Sequence, residues 1–128
     1  MIILLDTSSP VCKLTTISGD SQNDYEWQSD RSLAKGLLGY IHEKLQVEGS
    51  DWSDITAIGV YEGPGSFTGL RIGLTVANTI ADAQSISIVG ATGDDWKNQA
   101  LNKIHDGQNE KIVLPLYGSE ANVTKPRK

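Results

Sequence analysis

Cysteine is almost absent: Cys12 stands alone in 128 residues. With no second thiol, an internal disulfide and a cysteine zinc site are both excluded, and the residue is expected to serve packing in a reducing compartment. Long hydrophobic runs are missing too. No stretch approaches the ~20 apolar residues that cross a bilayer. The opening Ile2-Ile3-Leu4-Leu5 has no basic region before it and is cut short by Asp6. It reads as a first strand rather than a secretory leader, and a cytoplasmic address with no membrane association is expected. Positive charge is scarce, with 11 Lys and Arg against 16 Asp and Glu and a net charge of −5. That argues against a large nucleic-acid footprint of the chain's own, since phosphate neutralisation needs clustered cations. The basic ending Lys125-Pro126-Arg127-Lys128 reads as a solvated terminus. Histidine is sparse as well: His42 and His105 lie far apart and neither has a companion at ligand spacing, so no metal site is expected.

What remains is a soluble composition, 38% hydrophobic and 21% charged, with length for a single domain over residues 1–128. Three short extended segments come first, residues 2–7, 11–18 and 21–28, at hairpin spacing. A helix is expected over about 32–47, with Asp30 or Ser32 as N-cap and Glu48-Gly49 as its end. A buried strand follows at Ala57 to Tyr61, then a second helix reaching about Ala83. A short strand is expected from Ser85 to Val89, and a third helix capped by Asp94 carries Trp96, Ala100, Leu101 and Ile104 at helical spacing. Ile112 to Tyr117 reads as a strand or extended segment. Hairpin-joined strands followed by helix, strand, helix and strand imply a mixed α/β sheet.

The most informative stretch joins the fourth strand to the second helix: Glu62-Gly63-Pro64-Gly65-Ser66-Phe67-Thr68-Gly69-Leu70-Arg71-Ile72-Gly73. Glycines at this density suit a tight turn that brings backbone close to an anion or to a neighbouring chain. The wording fits no standard phosphate loop. A dinucleotide loop needs its third glycine where Thr68 stands, and an NTPase loop needs Gly-Lys-Ser/Thr where this chain has Gly69-Leu70-Arg71.

Gly63-Pro64-Gly65-Ser66-Phe67-Thr68-Gly69-Leu70-Arg71-Ile72-Gly73 resembles the signature of the bacterial TsaB (YeaZ) family, and Ile3 to Ser9 with Val11-Cys12 resembles its first strand and turn. The resemblance implies a ribonuclease-H-like lobe, the half-unit of the sugar-kinase and actin (ASKHA) fold. It also implies a non-catalytic subunit that pairs with a TsaD-like protein in threonylcarbamoyl transfer to adenosine 37 of tRNA, with a TsaE-like ATPase as a further partner. ATP and metal would sit on those partners and not on this chain, and tRNA would be met only indirectly. After Gly90-Ala91-Thr92 the resemblance jumps to Leu114-Pro115-Leu116-Tyr117-Gly118-Ser119. A C-terminal segment of about 111–128 therefore resembles the family's end, and most of a second lobe is missing. TsaD-like relatives carry paired histidines on the first helix, whereas Arg31 and Lys35 stand where such a pair would lie.

On a helical wheel, the apolar residues of both central helices spread over roughly 200°, more than one face of a sheet covers. A helix-on-helix interface with another subunit is therefore expected, through Gly36, Gly39, Tyr40, Ile72, Gly73, Val76 and Ile80, with the glycines admitting close approach. The competing reading is that the helices cover one another within the lobe. Family resemblance favours the interface with a TsaD-like subunit, or with a second copy. Within the glycine turn, Gly63, Pro64, Gly65, Ser66, Thr68, Gly69, Arg71 and Gly73 are expected to fix the strand-to-helix path, and Phe67 to anchor it by burial.

No catalytic residue is assigned. Asp6, Thr7 and Ser8 are weak candidates for a relic nucleotide site, against the plainer role of a turn satisfying its own backbone. Two enzymatic readings stand as alternatives. A ribonuclease-H-like nuclease would use Asp6, Glu43 and Glu62 to hold divalent ions. A stand-alone small-molecule kinase would hold phosphate at Gly63 to Gly69.

Overall fold

The computed structural model describes residues 1–116. The parts of the expected C-terminal segment at Tyr117, Gly118 and Ser119, and the basic ending, lie outside the described residues. Five strands form one sheet in the order β3-β2-β1-β4-β5, with β1 Ile2–Asp6, β2 Val11–Ser18, β3 Ser21–Gln28, β4 Ala57–Tyr61 and β5 Ser87–Ala91. The first three are antiparallel, and β4 and β5 run parallel to β1. Among the described residues there are three α-helices: α1 Leu33–Val47, α2 Phe67–Gln84 and α3 Trp96–His105. The mixed α/β architecture is the expected one.

The period-two alternation of strand side chains decides the layering. Ile3 and Leu5 of β1, Ile58 and Val60 of β4 and Ile88 of β5 face one way, and there Leu37, Ile41 and Leu45 of α1 and Leu74, Ala77 and Ile80 of α2 cover them. Leu4, Val89 and Ala91 face the other way, against Trp96 and Ala100 of α3. Strands buried on both faces read as unbroken apolar runs, which is why Ile2-Ile3-Leu4-Leu5 and Ala57-Ile58-Gly59-Val60 contain no polar residue. At Gly59 a Cβ would come within 2.6 Å of Leu4 Cδ2 and 2.9 Å of Ala100 Cβ, so the missing side chain lets α3 settle on the sheet.

Element ends depart from expectation at two places. Ser85 does not open β5; it closes α2 in the left-handed conformation, φ 57°, and the strand starts two residues later at Ser87. The N-cap of α3 is Asp95 rather than Asp94, and its carboxylate accepts from Asn98 Nδ2 at 2.7 Å instead of from the helix backbone. Ser32, one of the two expected candidates, is the N-cap of α1; it makes no side-chain cap bond, and Asp30–Ser32 form a 3-10 turn leading into the helix. Residues 112–116 form no strand. They run as an extended strap across α2 and the end of β4, with Val113 buried.

The apolar surplus of the central helices is narrower than the wheel suggests. In α1 the buried residues are one row at i, i+4 spacing, Leu33, Leu37, Ile41 and Leu45. Leu38 is 53% exposed and Val47 67% exposed. The helices do cover one another and the sheet, and they leave an aliphatic remainder outside. No helix among the described residues is long and apolar enough to cross a membrane.

Candidate functional site

The glycine turn and the turn after β1 are built into each other, because β1 and β4 are parallel neighbours whose C-terminal ends release both loops at one edge. The Ser66 N–H donates to Ser8 O at 2.8 Å. Tyr61 Oη donates to Pro64 O at 3.0 Å, holding the top of the turn to the strand it left. Ser66 then caps α2, its hydroxyl accepting from Gly69 N–H at 3.2 Å. The peptide between Gly63 and Pro64 is cis, and Gly63 has φ 119°, a conformation few side chains adopt.

The other glycines serve contact. A Cβ at Gly65 would lie 2.5 Å from Ser8 Cβ, one at Gly69 would strike Thr7 O, and one at Gly73 would lie 2.7 Å from Thr7 Cγ2. Thr7 is therefore the knob and α2 the socket. Its buried hydroxyl donates to Gly69 O at 2.8 Å. Asp6 makes an Asx turn, its Oδ1 accepting from Ser8 N–H at 2.9 Å and from Ser8 Oγ at 2.6 Å. Of the three residues singled out as a relic nucleotide site, Thr7 and Ser8 thus join the two turns, and Asp6 holds Ser8 within the first.

Phe67 departs from expectation. It does not anchor the turn by burial but lies 54% exposed at the start of α2, with the Arg71 guanidinium 5.3 Å above its ring. One helical turn separates the two, so the cation reaches the ring along the helix surface.

Between α1 and α2 runs an open groove in two joined parts. The larger, about 550 Å³, is bounded by Ser9, Pro10, Arg31, Ser66, Thr68 and Ile72. The smaller, about 360 Å³, continues along Ala34, Arg71, Ile72, Thr75 and Val76. Of the residues expected at a partner interface, Ile72 and Val76 line this groove half-buried, and Gly39 stands exposed with nothing within 4 Å of where its Cβ would be. Gly36 does not admit a foreign helix. A Cβ there would come within 2.9 Å of Trp27 Cη2, so the chain's own tryptophan fills the space. Tyr40 stacks on the same Trp27 at 4.8 Å, and its enclosed hydroxyl has no hydrogen-bond partner among the described residues. Burial, with smaller contributions from Cys12, Glu43 and Glu26, pushes its pKa up to about 12. Gly73 and Ile80 are buried inside the molecule.

The carboxylates of the nuclease alternative do not converge. Among the described residues there is no group of three or more His, Cys, Asp or Glu side chains placed to hold a metal ion. Glu43 is exposed beside Lys44, and Glu62 lies against Gly90 and Val113. Burial, then the charge of Glu110, raises the Glu62 pKa against the opposing pull of Lys103. Cys12 is buried in the strand without a base, its pKa pushed up to about 12 by burial and by Asp6, which leaves it a packing group. Sequence reasoning missed Thr7 as the keystone of the two turns and Asn78 as a clamp on the strap. Neither carries a local signal, since each acts on residues far away in sequence.

Comparison with known proteins places this geometry. The family model for TsaD, tRNA N6-adenosine threonylcarbamoyltransferase, matches residues 28–93, just over half of the chain. The tRNA threonylcarbamoyladenosine biosynthesis protein TsaB of Haemophilus influenzae is 26% identical over 119 residues, 93% of this chain and 50% of that protein. TsaB of Escherichia coli is 28% identical over 91 residues, 71% of this chain and 39% of that protein. Among solved structures, YeaZ from Pseudomonas aeruginosa superposes with a TM-score of 0.67 at 27% identity, over 71% of this chain and 43% of that one. The chain spans about half the length of the curated relatives it matches. Its five-stranded sheet and three helices form a single lobe of the ASKHA type. The chain belongs to the family that the TsaD model describes, and the relatives it matches include TsaB (YeaZ) proteins.

Proposed function

We propose that this chain is a one-lobe, TsaB-like scaffold subunit in the formation of threonylcarbamoyladenosine on tRNA, contributing surface rather than chemistry. The observation that carries the reading is the interlock of the two turns. Thr7 and Ser8 bond across to the glycine turn and Asp6 holds Ser8 in place, so the two loops act as a rigid corner under α2. On this reading the corner sets the path of α2 beside α1. The groove edge with Ile72, Val76 and Gly39, joined by exposed Leu38, is the face that receives a TsaD-like catalytic subunit. A second copy of the chain could compete for the same face. ATP and metal belong to the partners, including a TsaE-like ATPase, and tRNA is contacted through them. The domain reading is a single N-terminal lobe, its strap from about residue 111 standing for the family's C-terminal segment.

Co-expression with the TsaD-like protein of the same organism tests the proposal. The expected outcome is a complex that survives gel filtration and restores threonylcarbamoyladenosine to tRNA in cells lacking their own TsaB. Unchanged tRNA with no complex would overturn it. ATP binding or Mg²⁺-dependent nuclease activity by the purified chain would replace it with one of the enzymatic readings.

A further inference from the structure

We propose that the strap of residues 109–116 is a brace that holds the glycine turn from outside, with Asn78 as the positioning residue through which α2 grips it. Asn78 reads backbone alone: its Nδ2 donates to Val113 O at 3.0 Å, and its Oδ1 accepts from Val113 N–H at 2.9 Å. Val113 itself is 1% exposed and packs into the core on the α1/α2 side of the sheet. One end of the strap is fixed to the edge strand. Glu110 N–H donates to Ile88 O at 2.9 Å, and Asn109 Oδ1 accepts from Ile88 N–H at 3.2 Å. Its other end reaches the turn, where Leu116 N–H donates to Glu62 O at 2.7 Å and Leu116 O lies against Gly63 where a side chain would stand. The bare α-carbon of Gly63 thus answers two needs at once, a left-handed φ and room for the strap.

The consequence is mechanical. The Gly63 to Gly69 turn is tied on one side to Ser8 and on the other to Leu116, and the second tie holds only while Asn78 keeps the strap seated. The outer edge of the strap carries Ile112, Leu114 and Leu116, 65%, 70% and 50% exposed, so the strap rests on backbone bonds and one buried side chain rather than on broad apolar burial. Such a segment belongs to the low-stability end of the molecule, and its release loosens the start of α2 without unfolding the sheet. This coupling is independent of any partner or of the proposed function.

Hydrogen exchange on the full chain, read by mass spectrometry, tests it. Asn78→Ala removes both clamp bonds while improving helix propensity, so fraying of α2 itself does not account for a loss of protection. The expected result is exchange faster by about tenfold in both the strap and residues 62–70, the scale of a lost buried hydrogen bond. Leu116→Pro keeps the clamp but removes the N–H that meets Glu62, and is expected to speed exchange in the turn while Val113 stays protected. Parental protection of the turn in both variants would overturn the proposal. So would an equal loss of protection in β2, which would mark general destabilisation.

Discussion

Gly73 has no Cβ because Thr7 occupies its place, and that single contact joins the start of the chain to the middle of α2. Gly73→Ala forces a methyl group against Thr7 Cγ2 and Cβ, which lie 2.7 and 2.8 Å from where its carbon would stand. The expected cost is about 1–3 kcal/mol, the usual range for overpacking, although alanine is the better helix former. Urea unfolding followed by circular dichroism measures it. Glu62 offers a second test through pH. Burial raises its pKa above the ordinary 4.5, so the folded chain holds this proton more tightly than the unfolded chain does. Stability from this group is therefore lost as pH rises through the interval between the ordinary value and the raised one, and the full penalty stands above the raised value. Glu62→Gln is expected to raise the urea midpoint relative to the parent at pH 7, and the difference should vanish below pH 4.5. An unchanged midpoint at pH 7 would show that the carboxylate is freely solvated.

Helices α1 and α2 each carry more apolar surface than they bury. Leu38 lies outside the buried row of Leu33, Leu37, Ile41 and Leu45 and is 53% exposed, so it has little internal packing to lose. Leu38→Lys is expected to change folding stability by no more than about 0.5 kcal/mol, as for other exposed sites. On the proposed function it should weaken capture by the TsaD-like subunit at least tenfold in a titration, since a buried lysine at an interface loses hydration without a partner. Equal affinity would move the contact face away from α1. The excess apolar arc was legible from the sequence because helical period is a local property. Gly36 and Gly73 were read for the right property, a missing side chain, but the space each leaves is taken by the chain itself. Gly36 faces Trp27 of β3, and Gly73 faces Thr7 of the first turn, pairings that exist only once the sheet has formed.

The whole molecule is one sheet with two unequal sides. The larger core joins α1 and α2 to Ile3, Leu5, Ile58 and Val60, and the smaller joins α3 to Leu4, Val89 and Ala91. Alternate residues of β1 and of β5 enter different cores, so neither side can open without disturbing strands the other needs. A single cooperative transition is expected. Trp27 reports from the α1 side and Trp96 from the α3 side, so intrinsic fluorescence and far-ultraviolet circular dichroism should give coincident urea curves. A separate early fluorescence step would mean that α3 detaches on its own.

Sequence alone determined the order and type of the five strands and three α-helices among the described residues, because alternation, helical period and turn residues are short-range signals. It determined the family resemblance too, through eleven consecutive residues in one turn. Only the tertiary structure decided what that turn does. Parallel pairing of β1 with β4 brings Thr7 and Ser8 against Gly65, Gly69 and Gly73, and the strap's return across α2 sets Val113 on Asn78. Those partners are separated by tens of residues along the chain, and the same glycines would read identically whether they faced phosphate, a second subunit or the protein's own threonine. Close approach is a property of two surfaces, and one stretch of sequence encodes only one of them.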